Sequence, residues 1–252
     1  MKLIRFEKDG IVGYGVLEND KVRVLKGGFQ GEAAFSGVEY RLLEVRLLIP
    51  VEPGKIIAVG LNYIDHIKEF GDRPVPENPT LFIKLNNTVI GPGEDIILPK
   101  GYERVDFEAE LAVVISRHCH EVSAEEAPGY ILGATCLNDV TERVIQKKDG
   151  QWTRGKNFPT FCPIGPWIET DADIGNLEIR SILNGKVMQS SNTKHQIWNP
   201  YELVSFISRS IPLEAGDVVA TGTPSGVSSM SPGDEISIEI QDVGTLTNRV
   251  RE

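Results

Sequence analysis

The sequence predicts a mainly β protein with a few short helices. Short apolar or alternating runs recur along the chain, and 25 glycines and 15 prolines fall between them as turn markers with no repeat or low-complexity tract. Helix signals are few. At 252 residues, with 40% hydrophobic and 25% charged side chains, the chain can bury a sizeable core as one large domain, or one domain with a small appendage.

Residues 2 to 25 hold three alternating segments, Lys2 to Phe6, Ile11 to Leu17 and Lys21 to Leu25, separated by the turn sequences Asp9-Gly10 and Glu18-Asn19-Asp20. This is a β-meander. Pro50-Val51-Glu52-Pro53-Gly54 suits neither helix nor strand interior, so a boundary is expected near residue 50, dividing a small N-terminal β domain (1–50) from the rest (51–252). Strand-like runs follow at Lys55 to Gly60, Leu81 to Leu85, Asp95 to Leu98, Asp106 to Ile115, Leu177 to Leu183, Asp217 to Thr221 and Glu235 to Ile240. In the last of these Ile236, Ile238 and Ile240 share one face. Ser123 with Glu126 fits a capping box. Asn199-Pro200-Tyr201-Glu202 offers an N-cap, a first-turn proline and an acidic residue ahead of Leu203, Phe206 and Ile207.

The formal net charge is −10, and no Lys/Arg block is present, which excludes nucleic acid and anionic membrane as expected partners. An acidic substrate would meet an opposing global field, so cations must gather locally at any site that binds one. No run of about 18 apolar residues exists, and Met1-Lys2-Leu3-Ile4-Arg5 alternates where a signal peptide would be continuous, so a cytoplasmic location is expected. Cys119, Cys136 and Cys162 lie far apart without a CxxC and read as reduced and structural.

The informative segment is Val105 to Ile115. Read as one strand, it places Asp106, Glu108 and Glu110 on one face about 7 Å apart, with Phe107, Ala109, Leu111, Val113 and Ile115 on the other. The carboxylate face continues into Ala112 and Val114. Either it is an ordinary solvated face, or it is half-buried and needs a counter-ion such as a hard divalent cation. Asp139, where apolar chain gives way to polar chain, is available as a third oxygen ligand. His118 and His120 flank Cys119 in a polar stretch and read as surface residues. Carboxylates with waters suit Mg²⁺ or Mn²⁺ better than Zn²⁺.

A short helix over Asn62 to Glu69 would put His66 and Glu69 on one face, as a general base with its orienting carboxylate or as a surface ion pair. Lys156 follows a glycine in an apolar-aromatic stretch, a weak cue on its own. Thr221 to Val227 reads either as a turn whose N–H groups and Thr223 hydroxyl face an anion or as a plain strand exit.

Taken in order, Gly60-Leu61-Asn62-Tyr63 with Asp65-His66, Asp106 to Leu111, Asn138-Asp139-Val140-Thr141, Lys156 to Pro166, and Gly216-Asp217 running into Thr221 to Val227 strongly resemble the fumarylacetoacetate hydrolase family. The resemblance covers residues 55 to 250, and the first 50 or so look like the small N-terminal domain of bacterial members. It implies a mixed β-sandwich roll, a homodimer, and one Mg²⁺ or Mn²⁺ held by Glu108, Glu110 and Asp139. It also implies a catalytic His66 and Glu69, an active-site Lys156, substrate contacts at Gln146 and Thr223, and a lid from about Asp65 to Pro79. One departure is visible: Val144 stands where many members carry an aspartate.

The resemblance implies a ligand with a pyruvoyl-like end, gripped by metal and Lys156, whose enolate forms when C3 loses a proton or a bond beyond C3 breaks. The expected activity is tautomerisation or decarboxylation of a 2-oxo dicarboxylic acid, of the 2-hydroxyhepta-2,4-diene-1,7-dioate isomerase or oxaloacetate type. Hydrolysis of an acylpyruvate or a fumarylacetoacetate-like substrate is the alternative. A metal-dependent carboxylate-binding protein is the non-enzyme alternative, and it has no need of a His/Glu pair.

Overall fold

Runs of alternating and continuous apolar residues become strands, and the computed structural model gathers these into three sheets. It describes residues 1–29, 31, 34–69, 71 and 74–252. Among these residues strands predominate, and the α-helices are Ile64–Glu69, Arg143–Asp149 and Pro200–Ser208. The mainly β class expected from the sequence holds.

The largest sheet begins with the meander. Phe35–Arg41, Lys21–Leu25, Ile11–Glu18 and Lys2–Lys8 lie side by side, and Lys2–Lys8 pairs with Cys162–Glu169. The sheet then continues through Ile131–Asn138, Ala109–Ile115, Val218–Ala220 and Ile56–Gly60 to Thr80–Lys84. One sheet therefore joins strands from both sides of residue 50. Val218–Ala220 lies parallel to Ile56–Gly60, with Val218 opposite Ile56.

A five-stranded sheet, ordered Lys186–Asn192, Glu178–Leu183, Glu235–Ile240, Gly244–Arg251 and Asp95–Ile97, packs over one face of the large sheet. Leu111 and Val113 from the large sheet, Ile179, Ile236, Ile238 and Ile240 from the smaller one, and Leu203 and Ile207 from the helix Pro200–Ser208 share one core cluster. The opposite face of the large sheet carries its own cluster, with Ile56, Ala58, Ala112, Val114, Val218 and Ala220. Burial on both faces explains why these central strands are apolar throughout.

The sequence-level caps form. Asn199 Oδ1 accepts from the N–H groups of Tyr201 and Glu202 at 3.0 and 3.1 Å, and Glu202 returns a bond to the Asn199 N–H. Ser123 and Glu126 exchange the two bonds of a capping box, but the segment that follows, Ala127–Tyr130, is one 3₁₀ turn. Pro128 and Gly129 inside it disfavour a longer α-helix. No helix among the described residues is long and apolar enough to cross a membrane.

Candidate active site

The site is built where the segment Val105 to Ile115 changes sheets. The expected continuous strand is corrected to two: Val105–Phe107, between Thr141–Glu142 and Ser228–Ser229 in a three-stranded sheet, and Ala109–Ile115 in the large sheet. Glu108 occupies the break. Its N–H donates to Asn138 Oδ1 at 3.0 Å, and the Ala109 N–H donates to Gln189 Oε1 at 2.9 Å, so side-chain acceptors replace the ladder there. Asp106 consequently leaves the carboxylate face and instead binds Arg104 Nε at 2.8 Å and Arg143 Nε at 2.9 Å.

Glu108 and Glu110 converge with Asp139, at the end of Ile131–Asn138, so that one oxygen from each lies within 4.8 Å of the others. The solvated-face alternative is overturned, because the three are 4%, 1% and 0% exposed. Lys156 is buried against them, its Nζ 2.8 Å from Glu108 Oε2 and also bonded to Asp139 Oδ2. Its ammonium lies 4.9 Å from the Phe82 ring centroid and 6.0 Å from that of Trp152.

The charges divide unequally. Burial alone would raise the Glu108 carboxyl, but Lys156 and Arg143 beside it hold it well below the usual carboxylate range. Glu110 is pushed well above that range by burial and by the charges of Asp139 and Glu108, against which Lys156 and the Gly222 N–H act more weakly. Burial disfavours the Lys156 ammonium, yet Asp139 and Glu108 outweigh it and raise its pKa, so the lysine carries its charge. A buried all-oxygen donor set of three converging carboxylates fits a hard divalent cation at Glu108, Glu110 and Asp139.

His66 and Glu69 sit on the helix Ile64–Glu69, with Nδ1 and Oε2 3.1 Å apart. His66 is only 6% exposed. The other Glu69 oxygen accepts the Gly226 N–H at 3.0 Å, and Asp65 accepts the Ser225 hydroxyl at 2.9 Å. Two N–H groups of the glycine-rich turn after Val218–Ala220 thus go to this chain's own carboxylates, since the Gly222 N–H also donates to Glu110 at 2.8 Å. Gly222 has φ of +94°, and a Cβ there would come 2.7 Å from that of Asn62, so glycine is required. Asn62 in turn donates to the Thr221 carbonyl at 2.7 Å and locks the loop before the helix onto the strand exit.

A cavity of about 830 Å³ opens above the carboxylates. Its lining includes His66, Glu108, Glu110, Asp139, Gln146, Lys156 and Thr223, so every expected site residue faces it except Glu69, which acts behind His66. Gln146 Oε1 accepts from Arg143 Nη1 at 2.8 Å, and Thr223 Oγ1 accepts from Gln189 Nε2 at 2.8 Å. Of the expected lid from Asp65 to Pro79, residues 70, 72 and 73 lie outside the described residues. His118 stays exposed, paired with Glu214 at 2.8 Å, and the three cysteines are buried and free.

Sequence reasoning missed Lys84, Arg143 and Gln189. Lys84 is fully buried, and its Nζ binds Asp139 Oδ1 and, at 2.8 Å, the Lys156 carbonyl. A lysine inside the apolar run Leu81-Phe82-Ile83-Lys84-Leu85 was the available signal.

Comparison with known proteins agrees in extent with this geometry. Residues 55–251 match the family model described as fumarylacetoacetate (FAA) hydrolase C-terminal, and residues 1–50 match one described as Rv2993c-like, N-terminal. The chain is similar to a crystal structure of 5-carboxymethyl-2-hydroxymuconate delta-isomerase from Mycobacterium smegmatis, at 41% identity and a TM-score of 0.94, covering 100% of this chain and 99% of that one. It is 38% identical to 2,4-didehydro-3-deoxy-L-rhamnonate hydrolase of Sphingomonas sp. (strain SKA58), covering 100% of this chain and 96% of the relative. It is 40% identical to the mitochondrial oxaloacetate tautomerase Fahd2a of Rattus norvegicus, covering 82% of this chain and 70% of the relative.

Proposed function

Because the chain belongs to the fumarylacetoacetate hydrolase family, whose members named above are an isomerase, a hydrolase and a tautomerase, we propose that it is a divalent-metal-dependent enzyme of 2-oxo dicarboxylic acids. The proposed reaction is tautomerisation or decarboxylation through an enolate. The observation that carries this reading is the meeting, in one cavity, of the buried carboxylate triad, the buried Lys156 and the His66/Glu69 pair.

Glu108, Glu110 and Asp139 would hold Mg²⁺ or Mn²⁺, which when bound supplies Lewis acidity at the cavity floor. Lys156 offers a fixed positive charge to the 2-oxo oxygen, where negative charge gathers as C3 is deprotonated. Glu69 accepts a hydrogen bond from the Nδ1–H of His66 and so leaves Nε2 as the base that takes a C3 proton, or that carries a proton taken from solvent to C3 after carbon dioxide departs. Gln146 and Thr223 present an amide and a hydroxyl that orient the carboxylate beside the oxo group. The Phe82 and Trp152 rings exclude water from one wall.

The test is incubation with oxaloacetate and Mg²⁺, following enol, ketone and carbon dioxide against a metal-only control, with acetylpyruvate in parallel for hydrolysis. Accelerated tautomerisation or decarboxylation, abolished by EDTA and restored by Mg²⁺ or Mn²⁺, is expected. Cleavage of acetylpyruvate alone would shift the reading to hydrolysis, with His66 activating water. Tight binding of oxalate without turnover of any substrate would leave a carboxylate-binding protein. A homodimer belongs to the same proposal, and light scattering should give twice 27.8 kDa.

A further inference from the structure

The mouth of the cavity gathers cations in a protein whose net charge is −10. Arg104, Arg143, Lys147, Lys148 and Lys156 line it against three carboxylates, all of which belong to the floor. Lys156 and Arg143 are committed to that floor by their bonds to Glu108. The rim cations Arg104, Lys147 and Lys148 are not. Among the described residues Nε is the only guanidinium atom of Arg104 with a partner, Asp106 Oδ1 at 2.8 Å. Asp106 is fully buried and is held on its other oxygen by Arg143, so it anchors Arg104 along one edge while the side chain stays 48% exposed. An arginine fixed at Nε presents its two Nη groups as a preoriented fork, the geometry that binds a carboxylate. Lys147 and Lys148 stand beside it at the end of the helix Arg143–Asp149 and add positive potential, with no ion pair or hydrogen bond to a carboxylate of the cavity among the described residues.

We propose that Arg104, supported by Lys147 and Lys148, forms a second anion subsite at the cavity mouth for the remote carboxylate of the substrate. The proposal rests on the reading of the floor as a pyruvoyl site and deepens it. With one end of the ligand held at the floor and the other at the rim, the enzyme selects 2-oxo acids with a second carboxylate over monoacids of equal length. It also explains how an acidic protein attracts a dianion.

The experiment measures, with Mg²⁺ present, the binding of 2-oxo diacids of four to seven carbons beside the 2-oxo monoacid of each length, with oxalate as a probe of the floor alone. For at least one length the diacid should bind about tenfold or more tightly than its monoacid, and that preference should shrink as salt rises. Arg104→Met should erase the preference while monoacid and oxalate binding stay within about twofold, Arg104→Lys should keep part of it, and Lys147→Gln with Lys148→Gln, in protein that keeps Arg104, should reduce it without erasing it. Oxalate binding without a diacid preference at any length would overturn the subsite and leave the floor reading intact. Equal losses of diacid, monoacid and oxalate in Arg104→Met would also overturn it, because Arg104 would then act only by supporting the floor through Asp106. Failure of wild-type protein to bind oxalate would overturn the floor reading and the subsite with it.

Discussion

Lys156 holds charge in a place where burial alone would remove it, and its two carboxylate partners are the reason. Lys156→Met should lower kcat/KM by about 10²-fold or more. It should also destabilise metal-free protein by about 3–5 kcal/mol, because buried carboxylates lose their cation, and Mg²⁺ should recover part of that loss. Equal thermal midpoints with and without Mg²⁺ in the variant would deny it the neutralising role. For His66 and Glu69, each alanine variant should lower kcat by about 10²- to 10⁴-fold. The double variant should fall no further than the worse single one, since residues acting as one unit are not additive. Additive kinetic losses would mean the base lies elsewhere. Glu108 with Glu110 and His66 with Glu69 were legible as candidates through local spacing, with a surface alternative open for each, and Lys156 through the family resemblance. Lys84, Arg143 and Gln189 were not, because each becomes meaningful only when a strand far away in the chain delivers its partner: Asp139 for Lys84, Asp106 and Glu108 for Arg143, Ala109 and Thr223 for Gln189.

Between elements, the segment 105 to 115 departs from the single strand that its alternation predicts. Its alternation is real, since Phe107, Ala109, Leu111, Val113 and Ile115 enter one core cluster while Ala112 and Val114 enter another. The interruption at Glu108 depends on acceptors from Asn138 and Gln189, which no local pattern announces. A second joint lies at the end of Ile56–Gly60, where a Cβ on Gly60 would run into the Trp152 ring. Trp152 packs edge-on against Phe82 at 5.2 Å, and both line the cavity. Gly60→Ala should therefore displace the indole, raise KM severalfold and alter tryptophan fluorescence, while costing less than about 2 kcal/mol in urea unfolding. An unchanged emission spectrum together with unchanged KM would show that the wall absorbs the methyl.

Across the whole molecule, the core is dry enough to govern the cysteines. Burial pushes the Cys162 thiol up to about 12 and raises Cys136 and Cys119 as well. None should react with a thiol reagent at pH 8 until the protein unfolds, after which all three should. A raised folded-state pKa makes a contribution that is complete below the ordinary value of 9.0 and is lost as pH rises toward the folded value. Unfolding free energy should accordingly fall between about pH 9 and 12, by about 1.4 kcal/mol per pH unit for each thiol ionised only when unfolded. Rapid native-state labelling would contradict this burial.

The parallel pairing of Val218–Ala220 with Ile56–Gly60 has a consequence for synthesis. Ile56-Ile57-Ala58-Val59 is buried on both faces in the finished sheet, yet one of its two neighbouring strands leaves the ribosome some 160 residues later. At about 5–20 residues per second, the nascent chain carries an apolar strand with one unpaired edge for roughly ten to thirty seconds. Thr80–Lys84 can cover the other edge soon after synthesis, which halves the exposure without ending it. The floor follows the same order: Lys84, Glu108, Asp139 and Lys156 are all made by residue 156, but the Gly222 N–H that holds Glu110 comes only with the strand exit after Val218–Ala220.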